Sequence, residues 1–107
     1  MSATPLAEET GHVDRAPAEV RRALVAMFSD GYLKVEERDD LVAVQGGWWY
    51  RGEYRLAPEG DGTRITHRVL NVAPRGRWAV PLANRFFVGF RERTREGFAG
   101  TLRALSR

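Results

Sequence analysis

His67 is the side chain best placed by its sequence context to handle a proton near neutral pH, since an unperturbed imidazole titrates close to 6.5. It lies in Thr63–Ala73, a stretch that alternates so that Ile65, His67, Val69 and Asn71 share one face while Arg64, Thr66 and Arg68 take the other. A second alternating stretch, Trp48–Leu56, puts Trp48, Tyr50, Gly52, Tyr54 and Leu56 on one face and Trp49, Arg51, Glu53 and Arg55 on the opposite one. If both apolar faces look into a core, Tyr50, Tyr54, His67 and Asn71 converge there. A mostly apolar pocket with a few convergent polar groups is the usual form of a small-molecule site. The acid–base step such a set could perform is enolisation next to a carbonyl, with His67 as base and Tyr50 or Tyr54 polarising the oxygen. The plainer alternative is a histidine hydrogen-bonded to a neighbour and tyrosines that serve as core residues with hydroxyls at the rim.

Other chemistries have less to stand on. His12 and His67 are the only histidines and there is no cysteine, which removes thiolate catalysis, disulfides and cysteine-type zinc sites and leaves a weak metal case. No Gly-x-x-x-x-Gly-Lys, Gly-x-Gly-x-x-Gly or Gly-x-Ser-x-Gly motif occurs. No cofactor is expected.

The elements that must hold these residues follow from periodicity. Met1–Glu9 reads as a flexible polar lead-in, and residues 10–107 as a single domain. Gly11–Ala16 is expected as a short strand. Pro17 suits a first helical position, and Val20, Leu24, Met27 and Phe28 then recur on one helix face. Four strands are expected next: Tyr32–Glu37, Leu41–Gln45, Trp48–Leu56 and Thr63–Ala73. Polar residues 38–40, a tight Gly46-Gly47 loop and the 58–62 cluster separate them. From Pro81 a closing helix is expected to about Leu105, with Leu82, Phe86, Phe87, Phe90, Phe98, Thr101 and Leu105 on its core arc. Gly97 and Gly100 sit near that arc, where each costs about 1 kcal/mol relative to alanine. They leave either close packing against strand aromatics or room for a ligand. The candidate ligand-contacting set is therefore Trp48, Tyr50, Tyr54, His67, Asn71, Phe90 and Gly97. The expected fold class is α+β, in the order β-α-β-β-β-β-α with about five antiparallel strands.

Charge supports a second reading. Residues 1–73 carry nine basic and twelve acidic side chains, whereas residues 74–107 carry eight Arg against Glu92 and Glu96. The basic face of the last helix, or the Trp49 face, could instead bind a protein or an anionic partner, and the Trp49 face could also join two copies in a homodimer. The Arg residues alternate with Glu and form no block, so nucleic acid is not the expected partner. No apolar run approaches the length of a membrane span, and the cysteine-free composition fits a cytoplasmic location.

The stretch His12-Val13-Asp14-Arg15-Ala16-Pro17-Ala18-Glu19-Val20-Arg21-Arg22-Ala23-Leu24 resembles the opening strand and helix of START/birch-pollen-allergen-like domains, the SRPBCC superfamily. Gly52-Glu53-Tyr54-Arg55-Leu56 followed by Gly62-Thr63-Arg64-Ile65-Thr66-His67 looks like that family's penultimate hairpin, and the long closing helix is similar as well. The likeness covers roughly residues 10–106 and is nearest to the bacterial polyketide cyclase/dehydrase-like branch. It implies a helix-grip fold, a curved sheet wrapped around the C-terminal helix with a cavity between them, and binding of lipids or polyketide-like molecules, in some members with cyclisation or dehydration. The chain departs from the family in length: about four strands and one helix fit where six strands and two helices are usual, so the resemblance is to a shortened version.

Overall fold

The computed structural model describes residues 6–29, 31, 34–46, 50–71 and 90–106, with backbone alone at 71, 90 and 91. Its elements are β1 (Ala7–Val13), α1 (Pro17–Phe28), β2 (Lys34–Arg38), β3 (Leu41–Gly46), β4 (Tyr50–Glu59), β5 (Gly62–Asn71) and α2 (Phe90–Leu105). The strands form one antiparallel sheet in the order β1-β5-β4-β3-β2. β2 to β5 are consecutive hairpin neighbours, and β1 crosses back to pair with β5. The fold class is α+β, as expected.

The β4–β5 turn shows local sequence deciding local geometry. Glu59 pairs with Gly62, leaving Gly60-Asp61 as a two-residue loop. Gly60 carries φ +59, and no described non-glycine residue has a positive φ. Glycine with positive φ at the first loop position matches the twist of antiparallel strands. Gly62 itself is required by close approach, because a Cβ there would strike the Val13 carbonyl oxygen.

α1 begins with Pro17 at its first turn and buries Val20 and Leu24 completely. Proline there loses nothing, since the first helical N–H groups have no intrahelical acceptor. At the C-terminal end the Ser29 N–H and hydroxyl both reach the Val25 carbonyl, at 2.9 and 2.5 Å. α1 lies over β2, β3 and β4, while α2 lies chiefly over β1. Val13, Val20, Leu24, Val42, Val44, Tyr54, Leu56, Ile65, Phe98 and Leu105 form the common core. Fully burying each large apolar side chain contributes about 1.5–3 kcal/mol. Gly11 on β1 has no side chain because Leu102 of α2 occupies that space. At the end of α2, the Arg15 guanidinium donates to the Leu105 carbonyl at 3.4 Å, and the buried Thr63 hydroxyl donates to the Arg15 carbonyl at 2.7 Å. The β1–α1 junction is thereby tied to both β5 and α2.

Several boundaries differ from expectation. The first strand runs Ala7–Val13 rather than Gly11–Ala16, so residues 7–9 belong to the sheet and not to a flexible lead-in. The reason is non-local: β5 offers ladder partners from Thr63 to Val69, which match Val13 back to Ala7. Gly46 lies within β3 opposite Tyr50, so the β3–β4 connection is not the Gly46-Gly47 pair. Trp48 and Trp49, the start of the second strand at residues 32–33, residues 72–73, and the expected first half of the closing helix with Leu82, Phe86 and Phe87 lie outside the described residues. No described helix is long and apolar enough to cross a membrane.

The outward face of the sheet is a lattice of ion pairs. Glu8–Arg68 (2.6 Å) links β1 to β5 and Arg51–Glu36 (3.2 Å) reaches from β4 across β3 to β2, while Arg51–Glu53 (3.0 Å) and Arg38–Glu36 (2.9 Å) run along single strands. Glu53, on the face expected to meet solvent, is 9% exposed because Arg51 and Arg55 lie beside it. The long aliphatic stems of arginine cover backbone and smaller neighbours while the guanidinium stays paired.

Candidate functional site

Register brings the inward polar groups into one row. Glu9 on β1 pairs with His67 on β5, His67 pairs with Tyr54 on β4, and Tyr54 pairs with Val42 on β3. Directly opposite residues on antiparallel strands point to the same face, so this row runs across the helix-covered side of the sheet. Two rows along the same face, past Val69 and Gly52, Asn71 pairs with Tyr50. The Tyr50 ring leans forward along its own strand, its hydroxyl lying 2.7 Å from where a Cβ would stand on Gly52. That small residue makes room for the phenol.

The rings form a continuous stack through the molecule. Phe28 of α1 meets Tyr54 at 5.3 Å, Tyr54 meets His67 at 4.3 Å with planes 13° apart, and His67 meets Phe98 of α2 at 5.5 Å. Offset stacks of this kind add about 0.5–1.5 kcal/mol beyond area burial. They also hold the imidazole in place from both sides.

Beside this stack, between α2 and the sheet, is a cleft of about 240 Å³ open to solvent. Tyr50, Tyr54, His67 and Gly97 line it, together with Val69, Thr94, Phe98 and Thr101. Four of the seven residues expected to contact a ligand thus meet at one place. Of the remaining three, Trp48 lies outside the described residues, and Asn71 and Phe90 are placed by backbone alone, opposite Tyr50 and at the first turn of α2. The cleft residues not anticipated were legible in outline: Thr94, Phe98 and Thr101 share one helix face with Gly97, at i, i+4, i+7 and i+3, and Val69 shares the strand face of His67. The choice offered by Gly97 is resolved toward open space, since a Cβ there would meet nothing within 4 Å.

His67 is 5% exposed, and neither ring nitrogen has a hydrogen-bond partner among the described residues. Among the described residues, then, no neighbour satisfies this histidine. Glu9 stands opposite it in register and does not bond to it. Burial pushes the His67 pKa down to about 4, so the ring is neutral near pH 7. Burial also raises the Tyr54 phenol, with the nearby Tyr50 adding to the rise and a hydrogen bond with Thr101 opposing it; Tyr50 is raised by burial as well. Both phenols are protonated at neutral pH. Thr101 also donates back to the Gly97 carbonyl at 3.1 Å.

A general base works best with a pKa near the operating pH. A histidine with pKa about 4 is a weak base at pH 7, but a sound hydrogen-bonding group: one nitrogen donates and the other accepts. Elsewhere, the described residues contain no cluster able to hold a metal ion. Among the described residues, the exposed side chains of α2 include Arg93, Arg95 and Arg103 with Glu92 and Glu96. A scan against protein-family models gives no match, and neither does a search of the curated proteins.

Proposed function

We propose that this chain binds a small hydrophobic or amphipathic molecule in the cleft between the sheet and α2. The observation that carries the reading is the pairing of an open, largely apolar cleft with a buried imidazole whose nitrogens have no partner among the described residues. A buried polar group left unsatisfied costs about 1–3 kcal/mol. A ligand group that meets it recovers that cost. The sequence likeness to SRPBCC domains supports the same reading, and the helix-grip arrangement, with the sheet curving about α2, belongs to this proposal. Cyclase- or isomerase-type turnover is the secondary part of it, because His67 is a poor base at neutral pH. A cytoplasmic setting also belongs to the proposal, on the absence of cysteine.

Native mass spectrometry of freshly purified protein tests it. Under gentle ionisation the reading expects a co-purified small molecule that is lost on activation, and a His67→Phe variant that carries less of it. Backbone NMR signals of the cleft residues that stay unmoved by any member of a lipid and aromatic-metabolite panel would overturn it.

A further inference from the structure

His12 lies near the end of β1 on the outward face of the sheet, away from the cleft, with Arg64 of β5 as its register partner. Its Nδ1 stands 2.7 Å from Oε1 of Glu59, the last residue of β4, and its Nε2 stands 2.8 Å from Oδ1 of Asp14, just beyond β1. The ring lies over the start of β5, since a Cβ on Gly62 would stand 2.8 Å from both its Cε1 and its Nε2. An ionised carboxylate accepts and does not donate, so both ring nitrogens must carry hydrogen, and only the imidazolium does so. In this arrangement His12 is a cation that bridges the β1–α1 junction to the β4–β5 hairpin. Its hydrogen bonds, that to Asp14 foremost and then that to Glu59, hold its pKa above the ordinary 6.5.

Loss of one proton cannot leave both contacts intact. Neutral imidazole keeps one N–H, and its other nitrogen turns a lone pair toward a carboxylate. Which nitrogen keeps the proton is set by the groups that the two face. Those groups are Asp14, Glu59 and, behind Glu59, Arg64; Arg15 is turned instead to Glu19 and the Leu105 carbonyl. The Arg64 Nε donates to the other oxygen of Glu59 at 2.7 Å. Glu59 is thereby partly neutralised and pulls less on the Nδ1 proton. Asp14, two residues along the same chain, stays with Nε2.

We propose that His12 is a proton-operated latch: when protonated it ties the end of β1 to the β4–β5 hairpin through Glu59, and when deprotonated it keeps Asp14 and releases Glu59 to Arg64. Exposed ion pairs contribute little to global stability, so the latch governs the hairpin turn while the Val13–Thr63 rung stays paired.

The test is an NMR titration of the whole chain from about pH 5 to about pH 9, spanning the range in which histidine titrates. Side-chain nitrogen signals of His12 report which nitrogen carries hydrogen, and amide signals of Gly60, Asp61 and Gly62 report the turn. Two protonated nitrogens are expected at the acid end and hydrogen on Nε2 alone at the alkaline end, with the turn amides moving at the same midpoint. In His12→Gln those amides should not titrate over this range. Glu59→Gln should lower the midpoint by about 0.2–0.7 pH units. Arg64→Gln should raise it and move part of the neutral ring's hydrogen to Nδ1, a response that a packing role for Arg64 would not give. Hydrogen on Nδ1 in the neutral ring of the unmodified chain overturns the proposal. So does a midpoint at or below 6.5, or turn amides that ignore the His12 titration.

Discussion

Tyr54 and His67 are cross-strand partners whose rings stack at 4.3 Å with planes 13° apart. That contact joins the two halves of the molecule. Tyr54 continues the stack to Phe28 on α1, and His67 continues it to Phe98 on α2. The buried imidazole nitrogens have no hydrogen-bond partner among the described residues, so substitutions at this pair should be felt in stability.

Replacing His67 by Phe is expected to stabilise the unliganded chain by about 1 kcal/mol, since the stack is retained and a buried unsatisfied polar group disappears. His67→Ala should destabilise by about 2–4 kcal/mol through the cavity it leaves. Urea denaturation of the two variants checks both signs. A His67→Phe variant less stable than the parent would mean that the imidazole is satisfied in solution.

Stability should depend on pH through the same residue. The His67 pKa is about 4 in the folded chain against an ordinary 6.5, so between those values the unfolded state binds more protons. Folded-state stability contributed by keeping the ring neutral is complete above pH 6.5 and is lost as pH falls toward 4. The full loss is on the order of 3 kcal/mol. Thermal melts across this window should fall for the parent and stay flatter for His67→Phe. Glu36 and Glu59, both held below their ordinary 4.5 by arginine neighbours, add their own losses only at the acid end.

His12 predicts a change of opposite sign. Hydrogen bonds to Asp14 at 2.8 Å and Glu59 at 2.7 Å raise its pKa above 6.5. Its contribution is complete below 6.5 and is lost as pH rises through the raised value. The group is exposed, so the effect is small. It should appear as a downward drift of melting temperature on the alkaline side that His12→Gln removes and added salt weakens.

Gly97 and Gly62 should respond oppositely to substitution. A Cβ at Gly97 meets nothing within 4 Å, so Gly97→Ala should stabilise α2 by about 1 kcal/mol. Gly97→Leu should also fold, while its side chain enters the cleft and weakens ligand binding.

At Gly62 the obstacle is backbone, the Val13 carbonyl oxygen, together with the His12 ring at 2.8 Å. Gly62→Ala should therefore destabilise by about 1–3 kcal/mol, as forced overpacking does. Denaturation midpoints of the Gly97 and Gly62 variants measured side by side test the contrast.

Local sequence determined much of this. The period of two in residues 50–56 and 63–69 assigned Tyr50, Tyr54 and His67 to the core face, and Pro17 with Val20 and Leu24 marked α1, because alternation and helical spacing are properties of the chain's own geometry. The α+β class followed from the order of those patterns. Tertiary structure decided what no periodicity encodes. Which strand flanks β5 depended on β1 finding a full set of ladder partners, and that pairing moved its start back to Ala7 and set Glu9 opposite His67. Burial of Glu53 depended on where Arg51 and Arg55 extend from neighbouring positions. Whether Gly97 meant tight packing or open space, and whether His67 had a partner, depended on how far α2 stands from the sheet. A repeat pattern states which way a side chain points, whereas the distance to what it points at is set by residues remote in sequence.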